Sequence, residues 1–144
     1  MLKKFLEKLL LMLLAILLSS PVAAIFIIMV DILMVERDPY EGELDFWGEV
    51  YFLSTFSIPV YIILGIPVTL IIDALNSNTK VPFGFKSYLI QLLLYTLSAI
   101  AVNLLVPSYS RNVVSFITFS IPVYTYFHVL FYLRKRKAVK FLRI

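Results

Sequence analysis

The sequence predicts an all-α integral membrane protein, a four-helix bundle built as one domain over residues 1–144. The first observation is composition: apolar residues make up 61% of the chain and charged residues 15%, whereas globular domains hold about 45–50% and about 25%. The mean hydropathy of +0.94 agrees with this. A chain this apolar cannot cover its surface by folding in water, so lipid must surround much of it.

The second observation is a set of four uncharged apolar stretches. Each is close to the roughly 20 residues that a helix needs to cross about 30 Å of hydrocarbon. Because backbone N–H and C=O groups find no water in lipid, each stretch is expected to be helical. The four predicted spans are residues 9–30, 50–72, 87–106 and 113–133.

The first predicted span leaves an alternative open. Lys3 and Lys4 precede an apolar run, and the small residues at 22–24 are typical of a signal peptide cleaved after Ala24. The apolar run, however, continues to Val30, whereas the apolar core of a signal peptide is only about 7–15 residues long. We therefore expect a retained span. Cleavage would leave three spans and an N-terminus outside.

The distribution of basic residues predicts the orientation. Arg37 and Arg111 lie on one side of the spans, and the other eleven Lys and Arg residues lie on the opposite side. The positive-inside rule places the larger group in the cytoplasm. We therefore predict a protein of the cell membrane with both chain ends cytoplasmic. The eleven are Lys3, Lys4, Lys8, Lys80, Lys86, Arg134, Lys135, Arg136, Lys137, Lys140 and Arg143.

The connection between the first two spans, residues 31–49, is acidic. It carries seven of the nine acidic residues of the chain. The aromatic residues near its end suit an aromatic belt at the outer headgroup level: Phe46, Trp47, Tyr51 and Phe52. We expect a solvated loop with an interfacial anchor; the alternative is a docking surface for a cationic ligand. Its spacing does not match a calcium-binding loop.

The most specific feature is a seven-residue repeat. Thr-Phe-Ser-Ile-Pro-Val-Tyr occupies residues 55–61 and recurs at residues 118–124. Both copies lie near the middle of their spans, and both of these spans are predicted to run from outside to inside. The chain is therefore interpreted as two tandem helical hairpins of the same orientation, which an axis along the membrane normal would relate.

The prolines of the repeat predict kinked helices. Pro59 and Pro122 lack an N–H, so the carbonyls of Thr55 and Thr118 lose their helical partner. In lipid, Ser and Thr hydroxyls, water or a neighbouring helix normally compensate, and residues 19–21, Ser-Ser-Pro, add a third such point. The kinks either shape a packed bundle or line a binding cavity or pathway. The residues concerned are Thr55, Ser57, Pro59, Tyr61, Thr118, Ser120, Pro122 and Tyr124.

The second span continues as Tyr-Ile-Ile-Leu-Gly-Ile-Pro-Val-Thr-Leu-Ile-Ile-Asp at residues 61–73, where Gly65 and Pro67 mark a second flexible point. This stretch resembles a recurring segment of small, uncharacterised four-span membrane proteins of Gram-positive bacteria. The resemblance covers about one span in four. It implies no activity and no functional residue.

The predicted spans contain no Asp, Glu, Lys or Arg, which argues against charge-based transport and against exporters that need a membrane-embedded glutamate. His128, the only histidine, is expected to hydrogen-bond a neighbouring helix rather than to shuttle protons. Gln91 and Asn103 are expected to bond between helices as well. The chain has no cysteine, and no metal-binding, cofactor-binding or catalytic motif occurs.

These observations favour a non-enzymatic membrane protein that acts through helix or loop contacts, as an accessory, regulatory or immunity-type component. The alternative is a small oligomeric channel or transporter with a pathway at the Pro–Ser kinks. Expected partners are anionic lipid headgroups at the basic tail after residue 133, and a membrane protein or a second copy of this chain. Nucleic acid is not expected to bind.

Overall fold

The computed structural model describes residues 2–34, 45–77, 85–105 and 113–141. Apart from Asp45, all of these residues are helical. A π-helical turn, Tyr61–Gly65, joins the second α-helix to the third without a break. The α-helices are α1 (Leu2–Met34), α2 (Phe46–Val60), α3 (Ile66–Ser77), α4 (Phe85–Leu105) and α5 (Val113–Phe141).

Four helical stretches are long and apolar enough to cross a membrane, which confirms the predicted number of spans. They are Phe5–Met34, Phe46–Asn76, Phe85–Leu104 and Val113–Arg136, the second of which combines α2, the π turn and α3. The helices extend beyond the predicted spans at several ends, because charged residues that leave the hydrocarbon can remain helical. The predicted end of the third span, Val106, lies outside the described residues.

The start of α2 is fixed by Asp45. Its carboxylate accepts a hydrogen bond from the Gly48 N–H at 3.1 Å, and its carbonyl accepts one from the Glu49 N–H at 2.9 Å. This is N-capping, which satisfies N–H groups that have no partner within the helix. A Cβ atom at Gly48 would collide with the Asp45 carboxylate, so any other residue here would displace the capping side chain from this position.

The π turn lies between two prolines. Pro59 and Pro67 each remove one N–H donor from the helical ladder, and the Ile66 N–H bonds to the Tyr61 carbonyl, five residues earlier. Helical bonding of this kind inserts one wide turn into an α-helix. The flexible point expected at Gly65 and Pro67 is therefore the end of a π turn that begins two residues after Pro59.

Helix α1 contacts most of the other helices. It packs against α5 and α2, while α4 packs against α5 and touches α3. Three small residues at four-residue spacing, Ala15, Ser19 and Ala23, are almost fully buried on α1, and small side chains let helices in lipid approach closely. The largest buried cluster comprises Met12, Ala15, Ile16, Tyr61, Ile72, Tyr95, Tyr126, Phe127 and Leu130.

Large apolar side chains remain exposed on every span. Among them are Trp47, Tyr51 and Phe52 near the start of α2, part of the expected aromatic belt. In water such a surface would drive aggregation. It is the surface expected of helices that are surrounded by lipid.

Candidate functional site

The first copy of the repeat bonds to α1 through serine hydroxyls. Ser20 Oγ donates to the Ser54 carbonyl at 2.6 Å and lies 2.7 Å from Ser57 Oγ, and Ser57 Oγ lies 3.0 Å from the same carbonyl. Ser54 Oγ is itself buried and has no hydrogen-bond partner among the described residues. Ser20, directly before Pro21, and Ser57, two residues before Pro59, thus form one polar contact between α1 and α2.

The equivalent residues of the second copy have different partners. Ser120, buried in α5, donates to the Phe116 carbonyl of its own helix at 2.7 Å. The Tyr124 hydroxyl lies 3.1 Å from Thr96 Oγ1 and so joins α5 to α4. Thr118 is half-buried on α5. Identical residues in the two copies of the repeat therefore have different hydrogen-bond partners.

The two copies also bond to each other. The Tyr61 hydroxyl donates to the Pro122 carbonyl at 3.0 Å and lies 3.3 Å from Thr125 Oγ1. Tyr61 is buried, and its ring packs at a centroid distance of 5.6 Å on the ring of Tyr126. The last residue of one copy thus contacts the proline of the other, which spacing along the chain does not reveal.

The hydroxyls near the prolines bond to carbonyls other than those that Pro59 and Pro122 leave without a helical partner. Thr55, exposed on α2, donates to the Tyr51 carbonyl at 2.8 Å, and the hydroxyls of Ser57 and Ser120 bond to the carbonyls described above. These three hydroxyls thus donate to carbonyls other than those of Thr55 and Thr118. The reason is geometric, because a short hydroxyl side chain reaches the carbonyl three or four residues before it.

A buried hydroxyl network adjoins the π turn, and the sequence interpretation missed it. The Thr69 hydroxyl donates to the Gly65 carbonyl at 2.7 Å, since a carbonyl can only accept. The same Oγ1 atom lies 2.8 Å from the Tyr95 hydroxyl and 3.2 Å from the Tyr126 hydroxyl. One threonine thus connects α3, α4 and α5. The sequence did indicate the bond to Gly65, because a threonine hydroxyl commonly donates to the carbonyl four residues earlier.

His128 bonds a neighbouring helix, the arrangement that we expected. Its Nδ1 donates to the Tyr124 carbonyl at 2.7 Å, and its Nε2 lies 3.2 Å from the Tyr88 hydroxyl on α4. Because a carbonyl only accepts, Nδ1 carries the proton, and a neutral ring then accepts from Tyr88. Within the described ranges, no group of three His, Cys, Asp or Glu side chains is placed to hold a metal ion.

The amides of α4 bond differently from expectation. Gln91 donates to Ser87 Oγ at 3.1 Å, and Asn103 donates to the Ala99 carbonyl at 2.9 Å. Both bonds run within α4, between residues four apart, rather than between helices. A carbonyl or hydroxyl one turn away satisfies the amide without a partner helix, and this local bond is the one that forms.

An ion pair joins α3 to α5. Arg134 donates from Nη1 and Nη2 to the two carboxylate oxygens of Asp73, at 2.8 and 2.9 Å. The two side chains are only 18% and 15% exposed, and Lys8 of α1 approaches the same carboxylate at 3.7 Å. The ends of three helices therefore meet here. The signal was available, because Glu7 and Asp73 are the two acidic residues that do not lie in the 31–49 connection.

A cavity of about 110 Å³ lies beside the π turn. The second span, α4 and α5 each contribute part of its lining. The residues that line it are Val60, Tyr61, Leu64, Gly65, Val68, Tyr95, Ser98, Val102, Phe119, Pro122, Val123 and Tyr126. The cavity adjoins both copies of the repeated motif, since Tyr61 and Pro122 line it, and its lining is largely apolar.

Comparisons with protein-family models, with curated proteins and with solved structures found no match. The resemblance of residues 61–73 to small four-span proteins therefore stays a prediction. Several of the contacts described above join different helices: the hydroxyl pairs Ser20–Ser57 and Thr96–Tyr124, the Tyr61 bond to the Pro122 carbonyl, and the ion pair of Asp73 and Arg134. Contacts of this kind hold helices together.

Proposed function

We propose that this chain is a non-enzymatic, multi-pass protein of the cell membrane that acts through helix and loop contacts, as an accessory, regulatory or immunity-type component. One observation carries the proposal: hydroxyls of the repeated motif are used between helices. Ser57 pairs with Ser20 of α1, and the hydroxyls of Tyr61 and Tyr124 bond to α5 and α4. Hydroxyls engaged in this way hold helices together, which is the use expected in a packed bundle.

The proposed role is tested through water access at the repeat. The chain has no cysteine, so Ser57→Cys and Ser120→Cys each introduce a single reporter. We expect both to resist a water-soluble maleimide in membrane vesicles, while Trp47→Cys, whose native side chain is 72% exposed, reacts. Rapid labelling at Ser57 and Ser120 would refute a packing role and favour the channel or transporter alternative.

We further propose a kinked four-helix bundle with both chain ends in the cytoplasm. The meeting of Lys8, Asp73 and Arg134 supports this arrangement, because it brings the start of α1 and the ends of α3 and α5 to one face. The excess of Lys and Arg predicts that this face is cytoplasmic. In intact cells, an impermeant maleimide should label Trp47→Cys and spare Lys135→Cys; the reverse pattern would invert the topology.

A retained first span is part of the same proposal. Helix α1 runs through Ala24 without interruption, and Ala24 packs with Ile28 and Val50 in a buried cluster. Cleavage after Ala24 would remove Met12, Ala15 and Ile16 from the largest core cluster. The mass of the purified protein decides the point, since loss of residues 1–24 would contradict retention.

The proposed partners are a membrane protein or a second copy of this chain, with anionic lipid at the basic tail. Lys135 and Arg136 at the end of α5 are exposed, which supports a contact with headgroups. Chemical crosslinking in native membranes, followed by extraction in mild detergent, should recover a defined complex. Recovery of the monomer alone would argue against a contact function.

A further inference from the structure

The walls of the cavity beside the π turn are held apart by the way the helices pack. Helix α2 packs against α1, and α4 packs against α5, whereas α3 and α4 touch only slightly. Val60 and Leu64 at the rim are 52% and 39% exposed, while Tyr61, Tyr95 and Tyr126 deeper in the cavity are 6% exposed or less. The cavity therefore runs from a lipid-facing rim to a buried floor.

Glycine makes the cavity deeper at this floor. A Cβ atom at Gly65 would lie 3.7 Å from the ring of Tyr126 and 3.8 Å from the ring of Tyr61. These are ordinary contact distances, so a methyl group at this position would occupy the space without a clash. Gly65 thus leaves open a volume that most other residues would fill.

The polar groups that line the cavity are already satisfied. The Tyr61 hydroxyl donates to the Pro122 carbonyl, and the hydroxyls of Tyr95 and Tyr126 lie within 3.2 Å of Thr69 Oγ1. Ser98 donates to a carbonyl of its own helix at 2.7 Å. These hydroxyls direct their hydrogens to oxygen atoms of the protein, so a polar ligand would find few partners in a largely apolar lining and its desolvation would be poorly compensated.

The size of the cavity selects among apolar occupants. An α-helix with its side chains is about 10–12 Å across, far larger than a cavity of about 110 Å³ can accept. Apolar cavities of similar size, about 150 Å³, stay dry and take up small hydrocarbons. The end of a narrow hydrocarbon chain fits both the volume and the lining, and the surrounding bilayer supplies such chains at high concentration.

We propose that this cavity is a binding site for one acyl chain of a membrane phospholipid. The chain enters between the second span and α4, past Val60 and Leu64, and ends against Gly65 and Tyr126. The headgroup stays at the membrane surface and makes no contact with the cavity. The site is separate from the ion pair of Asp73 and Arg134, and it goes beyond the contact function proposed above.

The experiment uses the full-length protein in vesicles that contain a trace of phosphatidylcholine with a photoactivatable group near the end of one acyl chain. After irradiation, labelled residues are mapped by mass spectrometry. We expect label on the cavity floor, at Tyr61 and Tyr126, where a lipid that only coats the outer surface does not reach. Absence of label from both tyrosines would overturn the proposal.

Matched variants test whether the label depends on the cavity. Ser98→Phe places a ring inside the cavity, whereas Leu97→Phe adds the same ring one residue away, where the native side chain is 54% exposed. We expect Ser98→Phe to lose the label at Tyr126 and Leu97→Phe to keep it. Val102→Phe, at another position of the lining, repeats the test if Ser98→Phe does not fold. Equal label in the folded cavity variant and in the control would refute the site.

Other occupants give different results. Reaction of Ser98→Cys with a water-soluble maleimide would show a water-filled cavity and overturn the proposal. A disulfide between two copies of Ser98→Cys would place a second chain at the site and would overturn it as well. If neither of these two results appears and the cavity floor is labelled, the acyl-chain site is supported.

Discussion

Replacing Asp73 with asparagine removes one charge from the ion pair that joins α3 to α5. The magnitude follows from the geometry: two parallel hydrogen bonds of 2.8 and 2.9 Å and side chains that are only 15% and 18% exposed. Fully exposed pairs contribute about 0–1 kcal/mol, whereas breaking a buried pair costs about 3–5 kcal/mol. For this mostly buried pair we expect a coupling energy of about 2–3 kcal/mol.

A double-mutant cycle measures that coupling. Asp73→Asn, Arg134→Gln and the double variant are compared with the native protein by titration with a denaturing detergent, followed by far-UV circular dichroism. Each single variant should be clearly destabilised, and the double variant should cost much less than the sum of the two. Because little of the pair faces water, added salt should change the coupling only slightly.

Lys8→Gln is the matched control. Lys8 approaches the same carboxylate at 3.7 Å, but its side chain is 60% exposed, so we expect a cost of at most about 1 kcal/mol. The reasoning fails if the measured coupling between Asp73 and Arg134 lies below about 0.5 kcal/mol, the size of a solvated surface pair. It also fails if Lys8→Gln costs as much as Arg134→Gln.

Three further predictions concern the repeat and the π turn, and the same titration measures each. Tyr61→Phe removes the hydrogen bond to the Pro122 carbonyl while keeping the ring, and it should cost about 1 kcal/mol; no change would mean that the bond does not form. Ser20→Ala and Ser57→Ala should each cost about 0.5–2 kcal/mol, and the double variant should cost less than their sum, because the two serines share one contact. Full additivity would mean that the two serines do not interact. Gly65→Ala should be neutral or stabilising by up to about 1 kcal/mol, since its methyl group meets ordinary contacts; strong destabilisation would contradict this geometry.

The four spans were predictable from sequence because lipid imposes a simple requirement. A helix that crosses the bilayer needs about 20 apolar residues and no unpaired charge, and each stretch that met this requirement is helical wherever the structure describes it. The ends were less predictable. Helix α1 begins at Leu2 and includes Lys3 and Glu7, because charged side chains stop at the membrane surface while the backbone hydrogen bonds continue.

The partners of the repeat were not predictable, although its position was. Ser57 and Ser120 have identical neighbours in sequence, yet Ser57 bonds to α1 and Ser120 to its own helix. The difference lies in the adjacent helix, because α1 presents Ser20 to the first copy. The motif specifies the residues of one helix and carries no information about the residues of the helix that packs against it.

For the ion pair and the π turn, the sequence indicated one participant but not what it contacts. Asp73 and Arg134 lie 61 residues apart, and charge alone does not say which of the six basic tail residues is the partner. Pro59 and Pro67 predict a weakened stretch of helix between them. Whether that stretch kinks or widens into a π turn depends on what packs there, and Tyr126 lies beside Gly65.

The π turn between α2 and α3 also sets the helical phase of everything that follows it. An α-helix turns by 100° per residue, so one extra residue in a wide turn rotates all later side chains by about that angle. Thr69 and Asp73 face their partners on α4 and α5 only with this rotation included. If the same residues formed a regular α-helix, both side chains would turn about a quarter-circle away from those partners, whereas removing one residue together with the wide turn would leave them in place. The wide turn and its extra residue are therefore matched to each other.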